Sequence, residues 1–166
     1  MYKTEAIITK VENFKENHLS ISVYSSEYGQ KSLVVFGGKS KKKNSTYVKG
    51  SLNNIEFDNN NVCLSSTSIN KFKWFLFSKY ELKTIDYFCF LINKLLFLTD
   101  QNSNVLSYYL LLISRLNERS NYLPELLLLE LEILKVSGYQ PDLNESVLKK
   151  IFNFHEKSNL KTYEHI

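Results

Sequence analysis

Two spacings of hydrophobic residues divide the chain near residue 80. Before it, short runs rich in β-branched and aromatic residues alternate with polar turns: EAIITKV, HLSISVYS, KSLVVFG, NIEFD, NVCLSS and KFKWFLF. In HLSISVYS the alternation sets Leu19, Ile21 and Val23 on one face and Ser20, Ser22 and Tyr24 on the other, the mark of a half-buried strand. Glu27-Tyr28-Gly29-Gln30 supplies the glycine a tight connection needs, so Ile21–Ser25 and Ser32–Phe36 are expected to form a hairpin. Segments this short and this closely spaced predict a small antiparallel sheet that closes or curls.

Beyond residue 80 the strand pattern gives way to leucine-rich runs: TIDYFCFLINKLLFL, NVLSYYLLLISRLNER and YLPELLLLELEILKVSG. Each is long enough for several helical turns, and polar residues fall at helical spacing, as Glu130 does among Leu126, Leu127, Leu131 and Leu134. Pro124 suits the first turn of the third helix, Glu125 its positive end, and Gly138 its stop. The expected fold class is α+β, with a β-barrel domain over residues 1–78 and an α-helical domain over residues 79–166.

Composition narrows the class. With 43% hydrophobic and 14% aromatic residues in 166, the chain can bury a core and is not disordered overall. Its two cysteines, Cys63 and Cys89, are far apart and lack a C-x-x-C partner, which argues against a disulfide framework or a cysteine zinc site and fits a reducing cytoplasm. The start of the chain lacks a secretory apolar core, and Tyr87–Leu98 is too short to span a bilayer and is interrupted by Asn93 and Lys94. A soluble cytoplasmic protein with no membrane contact is expected. Charge is uneven: residues 1–80 hold 12 Lys against 6 acidic residues, a balance of +6, whereas residues 81–166 hold 9 basic against 11 acidic, a balance of −2. A basic front half suits a polyanion, nucleic acid first and a membrane surface second, against the plainer reading of lysines that merely solubilise a surface.

No nucleotide-binding, hydrolase or metalloprotease motif occurs, and His18, His155 and His165 have no partners at metal-ligand spacing and read as surface residues. Cys89, between Phe88 and Phe90, reads as a buried small hydrophobe, and Glu130 and Glu132, two apart on a helix, do not face each other. No catalytic residue, metal or cofactor is expected, which favours a binding protein over an enzyme.

The stretch FGGKSKKKNSTYVKG follows a predicted strand of the barrel. In an oligonucleotide-binding (OB) fold, loops and one barrel face meet single strands, with lysines on phosphates and aromatics stacked on bases. Lys39, Lys41, Lys42, Lys43 and Lys49 are the candidate phosphate contacts, and Tyr28 and Tyr47, with Tyr24 nearby, are the candidate stacking rings. The aromatics of KFKWFLF occupy both faces of one segment and read as packing.

The same residues carry a family resemblance. Tyr2-Lys3-Thr4-Glu5-Ala6-Ile7-Ile8 resembles the Y-x-T-E-A-I-V-L strand that opens RecO, the bacterial recombination mediator; Glu27-Tyr28-Gly29-Gln30 resembles its EYGK turn, and Gly37–Lys42 its KGARRPKS basic loop. Downstream, LPELLLLELEILKVSGYQPDL resembles the family's leucine-rich helix followed by GY-x-P-x-L, and HEKSNLKTYEHI its C-terminal helix end. Two departures stand out. Many RecO proteins continue with a four-cysteine zinc module, whereas this chain has Asn144–Lys149 without cysteine, with Ser146 and Lys149 where the first two cysteines belong. Lysines also replace the usual arginines, keeping the charge but losing the bidentate fork. The resemblance implies an OB-fold followed by helices and a non-enzymatic mediator of DNA repair. Such a protein binds single-stranded and double-stranded DNA, anneals complementary strands, and works with RecR to load RecA onto strands covered by single-stranded DNA-binding protein. An RNA-binding barrel and a non-enzymatic structural scaffold are the alternative classes, separable by RNA/DNA competition and by binding at low salt.

Overall fold

The computed structural model describes residues 1–40, 45–69, 78–96 and 104–138. Five strands come first: β1 (Tyr2–Phe14), β2 (His18–Ser25), β3 (Gly29–Val35), β4 (Leu52–Phe57) and β5 (Cys63–Ser68). They pair antiparallel in the order β3-β2-β1-β4-β5. The outer strands meet where Val34 bridges Val62 in parallel and the Val34 N–H donates to the Asn61 carbonyl at 2.9 Å, closing the sheet on itself. This five-stranded closed barrel is an OB-fold. The expected hairpin is present, with Ile21 opposite Leu33 and Ser25 opposite Gly29. The sixth strand-like segment, KFKWFLF, lies outside the described residues.

The alternation in β2 holds: Leu19, Ile21 and Val23 join the barrel core with Ala6, Ile8 and Ile55. β1 does not alternate, since Ala6, Ile7, Ile8 and Thr9 are all fully buried. The cause is a second layer. Ala6 and Ile8 point into the barrel, whereas Ile7, with Tyr24 and Leu52, joins a separate core shared with the helices.

That layer consists of α1 (Lys79–Leu95), α2 (Val105–Glu118) and α3 (Leu123–Val136). α1 starts ahead of its apolar run because Ser78 and Glu81 form a reciprocal capping box. Its buried residues Ile85, Phe88, Cys89 and Ile92 recur at helical spacing and make the stripe that packs inward. α3 carries Pro124 and Glu125 in its first turn, and Gly138 follows its end with φ 83°. The acidic residues of α3 tie the layer together: Glu130 accepts from the Tyr87 hydroxyl at 2.8 Å and Glu132 from the Asn104 N–H at 2.8 Å, so the two carboxylates serve different partners.

One joint pins α1 to the barrel. The register of β1 against β2 shifts between Ile8 and Lys10, leaving Thr9 without a register partner in β2. Asn93 of α1 supplies what the ladder does not. Its Nδ2 donates to the Thr9 carbonyl at 3.3 Å, and its Oδ1 accepts from the Thr9 hydroxyl at 2.7 Å and from Gln30 Nε2 at 2.9 Å. A second tie runs from the Tyr109 hydroxyl of α2 to the Gly50 carbonyl just before β4.

Candidate nucleic-acid interface

β3 ends in Phe36-Gly37-Gly38-Lys39, and both glycines have a physical reason. Gly37 has φ 64°, a conformation costly for other residues, and a Cβ on Gly38 would stand 2.9 Å from Leu19 Cγ at the mouth of the barrel. The turn is fastened by His18, whose Nδ1 accepts from the Gly37 N–H at 3.1 Å while its ring meets Phe36 edge-on at 4.9 Å. His18 is therefore a half-buried turn anchor rather than a free surface residue; His155 and His165 lie outside the described residues.

The fastened turn sets Lys39 beside the β1–β2 connection, where its Nζ donates to the Lys15 carbonyl at 2.9 Å. Lys15 is itself in a left-handed conformation, φ 54°, with its ammonium 5.5 Å from the Phe14 ring. Among the described residues neither lysine pairs with a carboxylate. Lys15 was not singled out by the sequence, because Glu12 and Glu16 flank it and cancel its charge in any local count. Residues 41–43, the rest of the lysine run, lie outside the described residues.

The other expected contacts are not gathered at this corner. Lys49 lies at the end of the β3–β4 connection and pairs with Asp86 of α1 at 2.6 Å. Tyr28 sits half-buried at the far end of β2, its ring 5.5 Å from both Tyr2 and Phe57. Tyr47 is inside the barrel core with its hydroxyl toward Cys63 Sγ at 3.8 Å, and burial pushes that hydroxyl well above the usual phenol range. Tyr24 is fully buried against the helices. Neither of these last two rings presents a face to a base. The sequence could not show this, since a tyrosine in a polar run looks the same whether its ring plugs the barrel or stands in solvent.

Among the described residues no three His, Cys, Asp or Glu side chains gather as a metal site. Burial pushes the Cys89 thiol up to about 12, which keeps it protonated and inert.

Residues 1–68 match the family model for the N-terminal part of recombination protein O, and residues 81–150 match the model for its C-terminal part. The chain belongs to the RecO family. Together the two matches cover both the OB barrel and the helical layer, in the family's order, and place the chain among DNA-binding mediators of recombination and repair. A search of curated proteins returns no match. The zinc module of many RecO proteins does not fit this chain: no cysteine follows Cys89, and Cys63 and Cys89 are buried in two separate cores. Ser146 and Lys149, the positions of the first two family cysteines, lie outside the described residues. No helix among the described residues is long and apolar enough to cross a membrane.

Proposed function

We propose that this RecO-family protein acts in the cytoplasm without covalent chemistry, binding single-stranded and duplex DNA and annealing complementary strands. With RecR it would help RecA onto strands covered by single-stranded DNA-binding protein. The observation that supports this most is the pairing of Lys15 and Lys39 at the β1–β2 turn of a closed OB barrel, since OB-folds meet oligonucleotides through that turn. Lys41, Lys42 and Lys43 follow directly in the chain and extend the same charge. Ammonium groups that neutralise phosphates lower the repulsion between two strands, which is what annealing requires. The experiment is the binding of labelled single-stranded and duplex DNA to the purified protein across a salt series. Affinity that falls linearly in log–log coordinates is expected; no binding at low salt would refute the proposal.

A further inference from the structure

A groove of about 550 Å³ lies between the β1–β2 hairpin and α1, apart from the Lys39 corner. Lys10, Gln30, Lys49, Phe90, Asn93 and Lys94 line it, and no carboxylate among the described residues does. The three lysines come from three different elements, β1, the β3–β4 connection and α1, so their convergence is a product of the fold and is invisible as a run in the sequence. Lys10 pairs with Glu12 at 2.8 Å and Lys49 with Asp86 at 2.6 Å, both at exposed positions where such pairs are weak. Lys94 has no ion pair among the described residues. Beside it, Phe90 is 55% exposed, the most exposed aromatic ring described. Phe90, Asn93 and Lys94 share one helix face by their spacing. The Asn93 amide is already bonded to Thr9 and Gln30, so the polar floor of the groove is fixed.

We propose that this groove holds a nucleotide of single-stranded DNA, its base stacked on Phe90 and its flanking phosphates on Lys10, Lys49 and Lys94, an inference that rests on the DNA-binding role of the barrel. The volume falls within the range of small-ligand clefts. A base can cover the phenyl ring only if it is free of a partner strand, so the groove reads single strands and not duplex. An acidic peptide would satisfy the ammonium groups but leave the ring without a flat partner. Lys10 and Lys15 are five residues apart along β1 and its turn, roughly 17 Å at strand spacing, so one strand can run from the Lys39 corner into the groove within an OB-fold footprint. Asp86 competes with phosphate for Lys49 and makes the site partly self-screened.

The test uses the full chain, a labelled oligo-dT strand and a labelled duplex, read by fluorescence anisotropy. Phe90→Ala should weaken oligo-dT binding roughly 5- to 150-fold, the effect of losing one stacked base, and leave duplex binding within about twofold. Lys94→Ala should shallow the single-strand salt slope by about 0.7, and Asp86→Asn should tighten oligo-dT binding. Both Phe90 and Lys94 are exposed, so an unchanged melting temperature verifies that each variant is folded. Unchanged single-strand affinity and slope in Phe90→Ala and Lys94→Ala, alongside wild-type DNA binding, would overturn the groove and leave the barrel's role standing. Loss of poly-glutamate binding without loss of oligo-dT binding would assign the groove to a peptide and overturn it too. Failure of the wild-type protein to bind any DNA would overturn both.

Discussion

Replacing Asn93 with alanine removes the joint between α1 and the irregular point of β1. Three hydrogen bonds go, at 2.7, 2.9 and 3.3 Å. The Thr9 hydroxyl can turn its single proton to the Ser22 carbonyl 3.1 Å away, and Gln30 borders the open groove where water replaces its partner. Thr9 lines the groove too, but it is fully buried with Asn93 in place and lies outside the β1–β2 register, so its carbonyl is the acceptor most at risk. Stranding a buried acceptor costs about 1–3 kcal/mol and the lost bonds about 0.5–1.5 kcal/mol each before water returns, so a net loss of about 2–3 kcal/mol is expected. At about 2–4 °C per kcal/mol for a chain of this size, Tm should fall by about 4–12 °C. Urea unfolding followed by circular dichroism measures the loss, and a double-mutant cycle with Thr9→Val isolates the pair, with a coupling of about 1 kcal/mol expected. A loss under about 0.5 kcal/mol, the level of an ordinary surface substitution, or strict additivity in the cycle, would refute the joint.

Other outcomes follow from the same structure. Replacing Lys39, Lys41, Lys42 and Lys43 together with alanine should weaken DNA binding for every sequence alike and flatten the salt slope by up to about 3 units, at about 0.7–0.9 per phosphate contact, with Tm unchanged; an unaltered slope would make the loop a solvated surface. Stability should decline as pH rises above about 9: burial raises Cys89 from 9.0 to about 12, so its contribution is complete below the unfolded value and lost as the unfolded chain alone gives up its proton. Tyr109, raised by complete burial, adds to the decline in the same direction, and urea midpoints measured from pH 7 to 11 check the sign. Because Ile7, Tyr24 and Leu52 of the barrel lie in one core with the helices, residues 1–138 should unfold in a single transition, and two resolved transitions by calorimetry would refute that.

Much of the fold was legible because its signals are local. The period-2 pattern of β2, the turn at Gly29 and the Pro124 and Gly138 boundaries of α3 each depend on a few neighbouring residues. The start of α1 is also written locally, as Ser78-x-x-Glu81, ahead of the apolar run that opens at Thr84. Less of the site was legible. Lys39 stands out as part of a charge run, whereas Lys15, Lys10 and Lys94 become neighbours of other cations only through strand pairing and helix docking. Asn93 looked like an interruption of an apolar helix, and its meaning depends on an irregularity in β1, 84 residues away in the chain. Tyr47 and Tyr24 show the converse: their chemistry suits stacking, and their burial is decided by packing partners that no local pattern reveals.

The helices also decide which side of the barrel remains open. Ile7, Tyr24 and Leu52 are the outward residues of β1, β2 and β4, and the helical core covers them, so that part of the barrel wall is closed to any ligand. What stays open on the β2–β3 side is polar: the hydroxyls of Ser20 and Ser32 lie 3.5 Å apart at exposed positions. Cations flank this strip, Lys15 and Lys39 at one end and the lysine groove along its border with α1. Of the α3 carboxylates, Glu132 is buried against the Asn104 N–H and Glu130 is held by the Tyr87 hydroxyl, whereas Asp86 of α1 pairs with the groove lysine Lys49. Docking the helices thus uses Glu130 and Glu132 as ties within the helical layer and leaves Lys10 and Lys15 of the barrel exposed, on the side where an OB-fold meets a strand.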